Sequence, residues 1–152
     1  MEHVNPNSYN FRLGSKFLHS AGPDGPRATP KALSLTSEGV VLRPGNLYLG
    51  VTAEVIGSSA YAMTLLGRSS VGRLGLFLNV AADLGHVGSR SRWTLELSVV
   101  QPLRIYPGMV VGQVAFWVQH GATAGYRGRY HGDREPIPCL DTVLAGSGGA
   151  RS

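Results

Sequence analysis

The clearest β-strand signal in this 152-residue chain is Trp93-Thr94-Leu95-Glu96-Leu97-Ser98-Val99. Apolar and polar residues alternate strictly along this stretch, so its four apolar side chains share one face. Glu96 lies on the other face, in the middle of the strand. The pattern predicts a strand with one buried face. It leaves two positions for the Glu96 carboxylate: open solvent, or a cavity whose loss of water makes the carboxylate a better base.

The composition extends the β prediction to the whole chain. Hydrophobic residues make up 43% and charged residues 15%, which indicates a packed core rather than a disordered chain. The 21 glycines and 9 prolines recur every few residues and exclude long helices. We therefore expect one all-β domain over residues 1–141 and a flexible tail over residues 142–152, which are rich in Gly and Ser.

Turn residues divide the chain into short segments. We expect strands over residues 40–42, 46–56, 61–66, 74–80, 93–99 and 109–118, loops over 21–26 and 81–91, and a turn or short helix over 67–73. The turns Arg43-Pro44-Gly45 and Tyr106-Pro107-Gly108 follow similar apolar residues, so they suggest two similar hairpins in one barrel.

The charge of the chain favours an anionic partner. Fourteen basic residues against nine acidic ones give a net charge of +5, and the basic residues are scattered singly. This scatter fits a small phosphorylated ligand better than nucleic acid, although arginine could also be the ordinary surface cation of the chain.

The single cysteine, Cys139, forms no disulfide within the chain, so we expect a cytoplasmic protein. No signal peptide is visible, and Pro and Gly interrupt the uncharged residues 105–126, so we expect no membrane partner.

Several chemistries are excluded by missing motifs. No lysine follows Lys31, so there is no P-loop, and no G-x-G-x-x-G joins a strand to a helix. The histidines have no metal-ligand spacing, and Pro138-Cys139 is not followed by a second cysteine, so the zinc deaminase signature is absent. The nucleophile elbow G-x-S-x-G is missing as well.

One stretch with suitable chemistry remains: Gly67-Arg68-Ser69-Ser70-Val71-Gly72-Arg73-Leu74-Gly75. Arginine offers a planar fork of donors, serine adds a short donor, and glycine lets backbone amides approach a phosphate. The alternative is an ordinary surface turn rich in Arg and Ser.

These residues resemble the dCTP deaminase and dUTPase superfamily, most of all its dCTP deaminase branch. The resemblance rests on residues 67–75, 78–82, 88, 94–97 and 103–116, with further similarity at residues 7–14 and 129–136. It implies a dUTPase-like distorted β-barrel or jelly roll, assembled as a homotrimer with active sites between subunits. It also implies Mg²⁺ accompanying the nucleotide phosphates and no zinc.

The resemblance assigns roles to particular residues. The carboxylate of Glu96 would activate the water that attacks cytosine C4, with the backbone of Ala82 beside that water, while Ser69 and Arg73 position groups around the base. The full set is Glu96, Ser69, Arg73 and Ala82 for catalysis, Arg68, Ser69, Ser70 and Arg129 for phosphate binding, and His86, Gly88, Tyr130 and Asp133 for sugar and base binding.

The loop before the catalytic strand departs from the family. Where the family has Asp-Pro-Gly followed by an aromatic residue, this chain has His86-Val87-Gly88-Ser89. The small Ser89 leaves room that opens the site to a ribonucleotide or a modified sugar. In the C-terminal segment Arg129 replaces the usual lysine and Asp133 the usual glutamine, so the preferred number of phosphates stays open.

Three functions are consistent with these residues. The first is zinc-independent deamination of a pyrimidine nucleotide, cytosine to uracil. The second is a dUTPase-like pyrophosphatase, although His86 stands where a water-activating aspartate would be needed. The third is a non-catalytic nucleotide-binding paralogue, which the altered loop favours and the intact arginine, serine and glutamate set opposes.

Overall fold

The computed structural model describes residues 3–22, 24–78, 83–121, 124–128, 132 and 135–138. These residues form thirteen strands and one four-residue helix, which confirms the all-β expectation. In chain order the elements are β1 Val4–Asn5, β2 Ser8–Gly22, β3 Gly25–Ser34, β4 Val40–Leu42, β5 Leu47–Thr52, β6 Ile56–Gly57, β7 Ala62–Gly67, α1 Ser69–Gly72, β8 Leu76–Leu78, β9 Leu84–Gly85, β10 Arg90–Ser91, β11 Thr94–Val99, β12 Leu103–Ile105 and β13 Val110–Trp117.

Nine of the strands form one antiparallel sheet in the order β8-β11-β5-β2-β13-β7-β9, with β1 and β3 also paired to β2. The 15-residue strand β2 joins the two halves of this sheet: its first part pairs with β13 and its later part with β5 and β3. The pairing of β2 with β5 shifts register between Leu13 and Phe17. Register shifts of this kind bend a strand and increase its twist, so the sheet curls around the core as a half-barrel.

Strand β11 has the predicted two faces. Leu95, Leu97 and Val99 are buried in the main core, while the intervening polar side chains are partly exposed. Trp93 lies just before the strand and packs against the same core, and its indole N–H donates to the carbonyl of Ile56 at 3.2 Å. The alternation of the sequence therefore correctly identified the core face.

Strand β3 was not predicted. The sequence suggests a loop at residues 21–26, but Ala21 pairs with Pro26 and Gly22 with Gly25, so these residues form the tip of a long hairpin. Pro26 and Pro30 lie in β3, which among the described residues pairs only with β2. An edge strand tolerates proline because the N–H on its outer side is not needed for the ladder, so proline content was a misleading signal here.

The two Pro-Gly turns do not make the two predicted hairpins. Strand β4 pairs with β12, so that Leu42 faces Leu103 and Val40 faces Ile105. The strands that precede the two turns thus pair with each other in a small separate sheet, and each turn redirects the chain into the large sheet. Gly45 and Gly108 have φ of 73° and 79°, a left-handed conformation that glycine adopts without strain. The tail 142–152 lies outside the described residues.

Candidate nucleotide site

Residues 67–75, here called the arginine–serine turn, connect β7 to β8 through helix α1. The carbonyl of Arg68 accepts from the N–H groups of Val71 at 3.1 Å and Gly72 at 2.8 Å, and the N–H of Arg73 donates to the carbonyl of Ser69 at 3.0 Å. The Val71 side chain is buried and attaches the helix to the core. This confirms the predicted turn or short helix.

The polar side chains of this turn point away from the core. Ser69, Ser70 and Arg73 are exposed and Arg68 is partly exposed. Among the described residues, these four side chains make no hydrogen bond or ion pair, and Arg68 provides no side-chain cap for the helix. Two guanidinium groups and two hydroxyls are therefore available to an anion from outside the chain.

The glycines of the turn have two different tasks. A methyl group added at Gly67 or Gly72 would meet nothing within 4 Å, so the backbone there is open to an approaching ligand. Gly75 has φ +87°, and an added Cβ would lie 2.7 Å from Cγ2 of Val100. Gly75 is therefore needed for the path of the chain into β8, where its carbonyl accepts from the N–H of Val100 at 3.0 Å.

Glu96 occupies the middle of β11 on the face opposite the main core. It pairs in register with Leu49 of β5, and Leu49 pairs with Leu18 of β2. Residues paired across strands share a face, so Glu96, Leu49 and Leu18 form a row across three strands. Glu96 is partly buried. Its position is therefore between the two predicted alternatives, open solvent and a cavity.

A second layer covers part of this face. Leu49 and Val51 are 6% and 1% exposed, although neither belongs to the main core cluster. Residues 135–138 lie against this face: Pro136 is buried, and the N–H of Ile137 donates to Oγ1 of Thr94 at 3.2 Å. Thr94 is two positions before Glu96, on the same face. The carboxylate is therefore next to a protein layer on one side.

Arg73 and Glu96 do not form a pair within this chain. Among the described residues the ion pairs are Arg12–Glu54 and Lys16–Glu135. The arginine–serine turn joins the sheet beside Val100, four residues beyond Glu96, which is about 13 Å along a strand. The single chain thus brings Arg68, Ser69, Ser70 and Arg73 together but leaves Glu96 apart from them.

Residues 86–89, here called the His86 loop, form a closed turn. The N–H and the hydroxyl of Ser89 both donate to the carbonyl of His86, at 3.1 and 2.7 Å. Gly88 has φ +87°, and its N–H donates to the carbonyl of Ser58 at 2.7 Å. The polar groups of Ser89 are therefore used inside the loop.

Tyr126 is a part of this region that the sequence analysis missed. Its ring stacks on the His86 ring, with centroids 5.4 Å apart and planes 14° from parallel, and its N–H donates to the carbonyl of Val87 at 2.9 Å. Its only sequence signal is an isolated aromatic residue in a Gly- and Arg-rich stretch. Of the other predicted site residues, Ala82, Arg129, Tyr130 and Asp133 lie outside the described residues.

The described residues do not build a metal site. They contain no group of three or more His, Cys, Asp or Glu side chains close enough to hold an ion. The described residues therefore offer no ligand set of their own for Mg²⁺, which the resemblance places on the nucleotide phosphates. Among the described residues, no helix is long and apolar enough to cross a membrane.

Comparison with known proteins agrees with this fold. A model of the dCTP deaminase-like family matches residues 1–118. The chain is similar to a protein of Leptospira biflexa named "dCTP deaminase, dUMP-forming", with 40% identity over 141 residues that cover 90% of this chain and 81% of that protein. It is also similar to a "dCTP deaminase" of Rhodopirellula baltica, with 43% identity over 125 residues, 78% of this chain and 61% of that one.

A solved structure shows the same architecture. The 2'-deoxycytidine 5'-triphosphate deaminase of Agrobacterium tumefaciens superimposes with a TM-score of 0.64 and 26% identity over 79% of this chain. This chain spans 42% of the Agrobacterium chain. The fold is thus that of the dUTPase-like nucleotide enzymes, as expected. The chain belongs to the dCTP deaminase-like family.

Proposed function

We propose that this protein is a hydrolytic deaminase of a cytosine nucleotide, with Glu96 as its general base. The observation that carries the proposal is the partly buried carboxylate in mid-strand, on a sheet face that Pro136 and Ile137 partly cover. Protein as well as solvent therefore surrounds Glu96. A carboxylate in such a partly covered position can hold and activate one water. The family and the names of the relatives support the substrate class.

The reaction must place both protons of the attacking water. Water adds to C4 of the cytosine ring, and Glu96 accepts one of its protons. That proton then passes to the amino nitrogen at C4, the C4–N bond breaks and ammonia leaves. The second water proton moves from the oxygen to ring N3, so that C4 keeps the oxygen of water as a carbonyl and N3 carries the hydrogen of uracil. One carboxylate can serve as base and then as acid because it starts and ends ionised.

The arginine–serine turn would bind the phosphates. Arg68, Ser69 and Ser70 offer charge-assisted and neutral donors to phosphate oxygens, and Arg129 would add a further cation. Arg73 would lie nearer the base. Because the turn and Glu96 are apart in one chain, we propose that a complete site joins the turn of one subunit to Glu96 of another.

An exposed apolar face supports this assembly. Leu66, Leu84 and Trp117 are 40%, 58% and 55% exposed, and they share the outer face of β7, β9 and β13. The Trp117 indole N–H donates to Oγ1 of Thr64 at 3.0 Å on that face. Large exposed apolar side chains on neighbouring strands indicate a surface that another protein covers. A homotrimer predicts three times the chain mass by light scattering, and a monomer that is fully active would contradict the shared site.

We expect the site to discriminate little between ribose and deoxyribose. The Ser89 hydroxyl donates within its own turn, so its proton is not offered to the 2'-position of a sugar, and the His86 ring packs flat on Tyr126. We propose that ribonucleotides are accepted alongside deoxyribonucleotides. A kcat/KM for dCTP more than about a hundredfold above that for CTP would contradict this.

A second activity is favoured by the name "dUMP-forming" of the Leptospira relative. That name describes loss of the amino group together with two phosphates. The corresponding proposal here is that the same site also cleaves the bond between the α- and β-phosphates, with a water as nucleophile. His86 in place of an acidic residue argues for slow cleavage, so we expect the uracil nucleoside triphosphate to accumulate before the monophosphate.

The test is a panel of cytosine and uracil nucleotides, ribo and deoxy, mono to tri, incubated with and without Mg²⁺. Base and phosphate products are separated by chromatography, and ammonia is measured in parallel. Glu96→Gln should reduce ammonia release by about a thousandfold or more while nucleotide binding persists, since general bases contribute about 10²–10⁴-fold. Glu38→Gln, at an exposed loop position, is the matched control and should behave as the parent. Turnover retained in Glu96→Gln would refute the role of Glu96.

A further inference from the structure

The described C-terminal residues 135–138, here called the crossing segment, are attached to two different strands. At one end Glu135 forms an ion pair with Lys16 of β2. At the other end the N–H of Ile137 donates to Oγ1 of Thr94, at the start of β11. Pro136 lies between them and is buried. Strand β5 separates β2 from β11, so the segment crosses three strands.

The pairing register shows which face is crossed. Phe17 points into the main core, so its neighbours Lys16 and Leu18 point to the opposite face. Leu18 is in the row that contains Leu49 and Glu96. The strands are about 4.8 Å apart, so Lys16 and Thr94 are separated by about 10 Å, which two residues of extended chain and their side chains can span. The crossing segment therefore lies on the face that carries Glu96.

A groove lies at the Glu135 end of the crossing segment. It has a volume of about 440 Å³ and is lined by Glu135 and Pro136 together with residues of β2 and β3, among them Lys16, Leu18, Ala32 and Ser34. The crossing segment thus has this groove at its β2 end and the strand that carries Glu96 at its β11 end.

We propose that Lys16 is a positioning residue for the nucleotide site: its ion pair with Glu135 holds the crossing segment against the sheet beside Glu96. Lys16 itself touches neither substrate nor water in this role. The inference rests on the proposed function, because the segment can affect nucleotide affinity only if Glu96 belongs to the nucleotide site.

The expected effect is modest, since the Lys16 and Glu135 side chains are 53% and 59% exposed and exposed ion pairs contribute little to stability. Lys16→Ala and Glu135→Ala should each raise KM for the accepted cytosine nucleotide about three- to fivefold, with kcat within about twofold of the parent. The charge-reversed double variant Lys16→Glu with Glu135→Lys should return KM to within about twofold. A purely structural role would lower the melting temperature of the single variants and leave their KM unchanged.

The chain contains a matched control in its other described ion pair. Arg12 donates from Nε to Glu54 Oε1 at 2.7 Å, and this hydrogen bond raises the pKa of the Arg12 guanidinium, so Arg12 stays charged. Arg12→Ala removes a second ion pair from the same strand, β2, four residues before Lys16, where the two side chains are 47% and 16% exposed. It should leave KM within about twofold of the parent.

A second measurement keeps this proposal separate from the proposed function. Amide hydrogen exchange at Ile137 should become at least threefold faster in Lys16→Ala and stay unchanged in Arg12→Ala, whether or not the protein deaminates anything. Faster exchange with an unchanged KM would show a tether that does not position the site, and unchanged exchange would show no tether. Either result would overturn the role of Lys16, whereas absence of ammonia release from every nucleotide would refute the proposed function alone.

Discussion

The arginine–serine turn and the His86 loop are both predicted to contact nucleotide, and they differ in how their polar groups are used. In the turn, backbone N–H and C=O groups bond to one another within α1, while the side chains of Ser69, Ser70 and Arg73 point outward. In the loop, the Ser89 hydroxyl returns to the loop itself and the His86 ring stacks on Tyr126. Donors that have no partner among the described residues indicate a place for a ligand, whereas a hydroxyl bonded within its own loop indicates a structural turn.

Between these two regions, the largest effect is expected at Arg68. Removing its guanidinium removes charge-assisted hydrogen bonds to phosphate, which contribute about 1.5–3 kcal/mol each, so Arg68→Ala should raise KM about 10–100-fold. Arg43→Ala removes the same charge from an exposed turn elsewhere and is the control. Steady-state kinetics on both variants at one ionic strength would measure the difference. Equal effects would mean that the turn acts only through net charge.

A smaller effect is expected on stability at Gly75. Alanine there would adopt φ near +87° and place its Cβ against Val100, so Gly75→Ala should lower the free energy of unfolding by about 1–3 kcal/mol. Gly72→Ala has open space and no positive φ, so it should be neutral or stabilising by up to about 1 kcal/mol. Denaturant unfolding of both variants tests this. A stable Gly75→Ala would mean that the path into β8 has more freedom than the structure shows.

The smallest effect is expected in the His86 loop. His86→Ala and Tyr126→Ala remove the same ring contact, so a double-mutant cycle on unfolding should give a coupling of about 0.5 kcal/mol, at the lower end for aromatic pairs because His86 is exposed. The same variants should change KM for CTP and dCTP by similar factors. A selective loss of dCTP turnover would show that the loop contacts the sugar and is not a purely structural turn.

The sequence was informative where a pattern is local. The alternation in residues 93–99 identified the buried face of β11, and the small polar residues 67–73 identified the turn that contains α1. The arginine, serine and glutamate motif identified the superfamily, which the family match over residues 1–118 confirms. The cytoplasmic location, the absence of zinc, a role for Mg²⁺ and the roles of the individual site residues stay predictions.

Long-range pairing was decided only by the tertiary structure. Nothing local to Val40 or Ile105 shows that β4 would pair with β12, and nothing local to Lys16 shows that Glu135 would lie beside it, 119 residues later. The prolines of β3 favour a loop by composition and are tolerated because the strand is at an edge. By itself the sequence determined which side chains are apolar, which carry charge and where the chain can turn. Only the fold decided which of them meet, because strand register brings together residues that are far apart along the chain.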